Sequence, residues 1–187
     1  MEVKTRKLLH LSFLVAAGTA LHIFEGMLPA LSVLPGAKLG LANLVNLIAL
    51  SFYGAGSAWW VVILRVFLGS LLGGTLLTTT FFLSSAGALG SMLVMIISYS
   101  GGRGPFSLMG VSVLGAVAHN LSQLLMATVL IQRLGIFFYL PYLLAFALPT
   151  GYFVGLTATY VGRYFPAKNG EWKKPVTKGV SSRALNT

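Results

Sequence analysis

Apolar residues run through this chain in stretches of roughly twenty, the length a helix needs to cross a bilayer. Short joints of Pro, Gly or polar residues separate them. The first stretch predicts a helix from about Leu8 to about Met27. Pro29 and Pro35 bracket the loop LPALSVLPGA that follows, because proline disfavours a continued helix. A second helix is expected from near Ala37 to the FYGAGS turn, and a third from Trp59 to about Leu77. TTT makes a very short connection to a fourth, from about Phe81 to Tyr99. GGRGP breaks the chain before a fifth span, Ser107 to about Gln132, and a sixth runs from near Leu140 to near Tyr164, ahead of FPAKNG. The expected fold class is an all-α membrane protein, a six-transmembrane-helix bundle. It divides into a transmembrane domain over 1–165 and a polar, basic tail over 166–187. No internal repeat stands out.

Composition supports this reading. Of 187 residues, 56% are hydrophobic and 9% charged, against about 25% charged in an ordinary soluble domain. With no cysteine, the chain has no disulfide framework, thiol chemistry or Cys-based metal site. A formal net charge of +10 would suit a nucleic acid, but the cations flank the spans. Lys4, Arg6 and Lys7 precede the first; Arg163, Lys168, Lys173, Lys174, Lys178 and Arg183 follow the last. Such charge sets topology and contacts anionic lipid. Without a basic patch interleaved with stacking aromatics, no nucleic-acid partner is expected. With six spans both termini share a side, and ten of the thirteen cations, Arg103 among them, lie there. Lys38 and Arg133 lie opposite. The excess makes the termini cytoplasmic and the protein a multi-pass component of the cell membrane. The head KTRKLLHLSFLVAAGTA also has the basic start, apolar run and small residues of a signal peptide. Its retention as a first span is favoured because several further spans follow.

Arg65 lies within the third apolar stretch, where a cation costs several kcal/mol, roughly 2.5–3.5, and faces a polar interior rather than lipid. The chain contains no Asp and three Glu. A buried cation with so few carboxylates available suggests a ligand that brings the negative charge, although Glu25 is a candidate partner for Lys38 or Arg65. The second helix carries Lys38, Asn43 and Asn46. The two amides are three residues apart on one face, roughly 7 and 12 Å beyond Lys38. They make a polar stripe descending from the outer surface, which either bonds neighbouring helices or lines a ligand pocket with Arg65. On the fifth helix His119, Asn120 and Gln123 are spaced to face one cavity. His22 and Glu25 share a face near the outer end of the first helix. Trp59, Trp60, Tyr139, Tyr142 and Tyr164 lie near span ends as interfacial anchors.

Small residues four apart recur at Ala16 and Ala20, Gly69 and Gly73, Ser70 and Gly74, and Gly151 and Gly155. The spacing allows close helix approach. The P-loop pattern is missing, so no ATP site is expected. A Ser-His-Asp set is impossible without Asp, and no second His or carboxylate has metal-ligand spacing. No catalytic residue, metal or cofactor is therefore expected.

PGAKLGLANLVNLIAL, RVFLGSLLGG and HNLSQL together resemble the family of heptaprenyl diphosphate synthase component I, also called the Gx transporter family. That family is similar in turn to the substrate-binding S components of energy-coupling factor (ECF) transporters. The likeness covers about residues 8–165, and the second-helix motif is its specific part. It implies a six-helix bundle with cytoplasmic termini, substrate held near the outer face, and EGMLPALSVLPGA as a lid. It implies that Ala16 and Ala20 contact a transmembrane coupling subunit whose two ATPases power uptake while the S component topples in the membrane. Prenyl diphosphate synthases hold Mg²⁺ on Asp-rich motifs, and hard cations want carboxylate oxygens, which an Asp-free chain lacks. The expectation is a non-enzymatic binder of a small anionic metabolite, an isoprenoid or quinone precursor being one candidate. The substrate would be held by Lys38, Asn43, Asn46, Arg65, His119, Asn120 and Gln123. The alternatives are an accessory subunit of a prenyl diphosphate synthase or related pathway enzyme, and a structural membrane adaptor.

Overall fold

The computed structural model describes residues 2–27, 40–99 and 106–164, without the side chains of residues 2–4 and 163–164. Every regular element among them is helical: α1 (Glu2–Met27), α2 (Asn43–Tyr53), α3 (Ala55–Leu72), α4 (Thr79–Ser98), α5 (Leu108–Ile131) and α6 (Leu140–Tyr164). A 3-10 turn at Leu134–Tyr139 leads into α6. Five of the helices are long and apolar enough to cross a membrane, so the chain is a multi-pass membrane protein. The exception is α2, whose 11 residues extend about 16 Å, short of the roughly 30 Å hydrocarbon core. The loop LPALSVLPGA, Lys38, GGRGP with Arg103, and the tail 166–187 lie outside the described residues.

Local chemistry sets the helix ends. Ser107 caps α5 by accepting a hydrogen bond from the Gly110 N–H at 3.2 Å, as small hydroxyl residues do. Gln132 closes the same helix in the left-handed conformation, φ 54°. These are the bounds that the sequence predicts. The third helix differs: it begins at Ala55 and stops at Leu72, where Leu77 was expected. Gly74, at φ 65°, ends it by letting the Thr75 N–H reach Ser70 O at 2.8 Å and its own N–H reach Leu71 O at 3.2 Å. That pair of bonds is a Schellman stop. Gly73 and Gly74 thus terminate the helix, and the expected Ser70/Gly74 packing pair is not one. The first helix also starts earlier than Leu8, at Glu2, carrying its basic residues on helical backbone.

The bundle is apolar outside, and its apolar core of residues such as Leu47, Val61, Met92 and Met95 encloses a cluster of polar side chains. Phe13, Trp60, Leu72, Ile97, Val129, Phe138 and Phe153 are all largely exposed, as a lipid-facing surface requires. Arg65, Asn43, Asn46, His119, Asn120 and Gln123 are all buried. Close approach makes this possible. A Cβ on Gly151 or Gly155 of α6 would stand 2.9 Å from Val113 Cα and 2.6 Å from Met109 Cα of α5, so α6 lies directly on α5. Although short, α2 is central, touching each of the other five helices. Side chains at its N-terminal end therefore face the middle of the molecule.

Candidate functional site

The site is built around that N-terminal end of α2. The Asn43 and Asn46 side chains lie one turn apart on the same face. Asn46 Nδ2 donates to Asn43 Oδ1 at 3.1 Å. From α3, Arg65 reaches into both amides: Nε donates to Asn46 Oδ1 at 2.8 Å and Nη2 to Asn43 Oδ1 at 3.3 Å. Arg65 is among the largest fully buried side chains. Its stem is covered by α1, where a Cβ on Gly18 would stand 3.0 Å from Arg65 Cδ. A side chain at this position would press on the Arg65 stem.

Glu25, near the end of α1, supplies the negative charge. It is 7% exposed and attracts Arg65 electrostatically. Its Oε1 accepts the Leu41 N–H at 2.6 Å and its Oε2 the Ala42 N–H at 3.5 Å. Arg65 is therefore not a cation without a carboxylate, and an opposite charge offsets part of the cost of burying it. Three residues before Glu25, His22 lies against Gly69 of α3, whose Cβ position is 2.7 Å from the imidazole Cδ2. A His22 ring nitrogen lies 3.5 Å from Ser70 Oγ.

The second part of the site comes from α5. His119 and Gln123 are joined by a 3.0 Å hydrogen bond between Nε2 atoms, the imidazole nitrogen accepting from the amide. A Cβ on Gly87 of α4 would stand 2.7 Å from Gln123 Cγ and 2.8 Å from His119 Cε1, so α4 covers this pair closely. Gly40 joins the two halves. Its Cβ position is 3.0 Å from Asn43 Nδ2 and 3.5 Å from His119 Cδ2, and its φ of 83° disfavours any side chain there.

The structure thus brings together Asn43, Asn46 and Arg65 on one side and His119 and Gln123 on the other, with Gly40 between Asn43 and His119. Asn120 is buried but turned to α6, where Nδ2 donates to Leu143 O at 3.1 Å. Lys38 lies outside the described residues. Ala16 and Ala20 are exposed on α1, and Ala16 lines an apolar groove of about 1120 Å³ between α1 and α3, with Leu11, Trp60, Leu64 and Leu68. The sequence gives little warning of Gly18, Gly40 and Gly87, whose role depends on what lies across from them. Glu25, one of three carboxylates in the chain, is the candidate partner of Lys38 or Arg65 that the sequence offers.

Among known proteins, the sequence model of the family described as heptaprenyl diphosphate synthase component I matches residues 14–161, well over half of the chain. No curated protein and no solved structure matches it.

Proposed function

The chain belongs to the heptaprenyl diphosphate synthase component I family, and from that premise we propose that it is the substrate-binding S component of an ECF-type transporter. In this reading it binds a small metabolite with an anionic group at the outer face of the cell membrane. Both termini are cytoplasmic, α2 serves as the short sixth helix at the centre of the bundle, and the chain performs no catalysis. The observation that carries the reading is a fully buried arginine fixed by two asparagines in the middle of a membrane bundle. Ionisable groups at such depth mark binding sites and substrate paths. Arg65, Asn43 and Asn46 hold the anionic group, with Lys38 at the mouth; His119 and Gln123 meet the remaining polar atoms, while Asn120 ties α5 to α6. Ala16, Ala20 and the apolar groove beside them offer a coupling subunit its surface, and the ATPases of that module supply the energy that a chain without a P-loop cannot.

The family description itself favours a second reading, a membrane accessory subunit of a prenyl diphosphate synthase. Its anionic ligand would then be the isoprenoid precursor or product. Affinity purification from native membranes separates the two: a coupling subunit with two ATPases supports transport, and a soluble prenyl synthase supports the accessory role. Native mass spectrometry of the same preparation identifies the ligand. Arg65→Lys keeps the charge but loses the planar fork, and it is expected to weaken ligand retention about tenfold or more, a hydrogen bond to a charged group contributing about 1.5–3 kcal/mol. Unchanged retention in a monodisperse Arg65→Lys preparation removes Arg65 from the site.

A further inference from the structure

The start of α2 lacks the usual local cap. Ala42, at the N-cap position, has no side chain that can accept a hydrogen bond. Asn43 N–H and Leu44 N–H are satisfied by the turn, through Gly40 O and Leu41 O. The Leu41 and Ala42 N–H groups instead meet the two oxygens of Glu25, from 16 and 17 residues away. A carboxylate on free N–H groups at a helix N-terminus is the arrangement by which proteins bind anions.

A second observation points to the same place. Asn43 Oδ1 accepts from both Arg65 and Asn46, which directs Nδ2 the opposite way, toward Gly40. Asn43 is 2% exposed, and its Nδ2 has no hydrogen-bond partner among the described residues. A buried amide donor left unmatched is costly, and this one lies beside the turn that Glu25 caps. Any side chain on Gly40 would crowd it, the Cβ position there lying 3.0 Å from Nδ2.

Building on the function proposed above, we propose that the α2 N-terminus is a carboxylate-binding site that Glu25 occupies in the ligand-free protein. A carboxylate of the substrate takes the place of Glu25. It accepts the Leu41 and Ala42 N–H groups, gains the Asn43 Nδ2 donor, and lies in the field of Arg65. Glu25 sets specificity by charge, since only an anion matches what it leaves behind.

The test is thermal unfolding of the purified full chain in detergent, titrated with sodium formate and sodium acetate against sodium chloride at equal ionic strength. Glu25→Ala is expected to lower Tm, and formate or acetate to restore most of the loss saturably, as binding to the folded state requires. Wild type, its site filled, is expected to respond far less. An additional Asn43→Ala is expected to abolish the rescue. If Glu25→Ala does not yield folded protein, Glu25→Gln, which keeps one acceptor oxygen, is expected to fold and still to be stabilised by formate. Absence of any formate or acetate effect on the folded variant overturns the proposal, as does an equal effect on wild type or rescue by phosphate alone. Failure here is distinct from failure of the transport reading. Formate rescue without an ATPase module in native membranes leaves the site standing and removes the transporter; a module with no rescue does the reverse.

Discussion

The two faces of α1 obey opposite rules. One carries Val15, Gly18, Thr19, His22 and Glu25, spaced three and four residues apart and all buried. The other carries Phe13, Ala16, Ala20, Phe24 and Met27, all exposed. In a soluble protein the apolar stripe would face inward. Here the polar one does, because lipid rewards an apolar exterior and leaves hydrogen-bonding groups nowhere to go but the bundle. Each face has small residues, used differently. Gly18 lets α3 place Arg65 against α1 within the chain. Ala16 and Ala20 form a smooth strip beside an apolar groove.

Substitutions on or beneath the inner face break the comparison hardest. Arg65→Ala removes the donor to Asn43 and Asn46 and the Arg65 charge that acts on Glu25, so a loss of about 3–5 kcal/mol is expected, the usual cost of removing one side of a buried charged interaction. Thermal unfolding in detergent reads it. Combining it with Glu25→Ala sharpens the point: the double variant is expected to lose less than the two singles added together. Strict additivity would mean that the two charges do not act on each other. Gly18→Leu comes next. Its side chain must displace the Arg65 stem, and overpacking of this kind costs about 1–3 kcal/mol. A Tm equal to wild type would show that α1 does not rest on Arg65 in solution.

The same contrast explains what the sequence discloses. Runs of twenty apolar residues disclose the long helices, and the bounds of α5 at Ser107 and Gln132 are legible as well. Arg65, Asn43 and Asn46 are legible as a group because polar residues in an apolar run are expensive and therefore few. Gly73 and Gly74 mislead, since the small-residue spacing that packs helices is also the composition that ends them. Glu25 is harder still. Its rarity marks it as a candidate partner for Arg65, but its hydrogen bonds go to backbone N–H groups of α2, which no side-chain pattern announces. Gly40 and Gly87 matter through the imidazole and amides opposite them, and that proximity is a property of the fold alone.

The outer face predicts the smallest change in stability and the most selective change in function. Ala16→Leu and Ala20→Leu add bulk where both positions are exposed among the described residues, so stability is expected to stay within about 0.5 kcal/mol of wild type, the range for substitutions away from buried features. Ligand retention is expected to be unchanged, because the Arg65 cluster lies on the opposite side of α1. Recovery of partner subunits from native membranes is expected to fall, since larger side chains hold a docking helix away from the strip. This combination discriminates between the faces: Gly18→Leu is expected to lower stability and ligand retention together, Ala16→Leu with Ala20→Leu neither. If the outer pair leaves partner recovery intact as well, α1 turns its strip to lipid alone. The partner surface would then have to be sought on other helices.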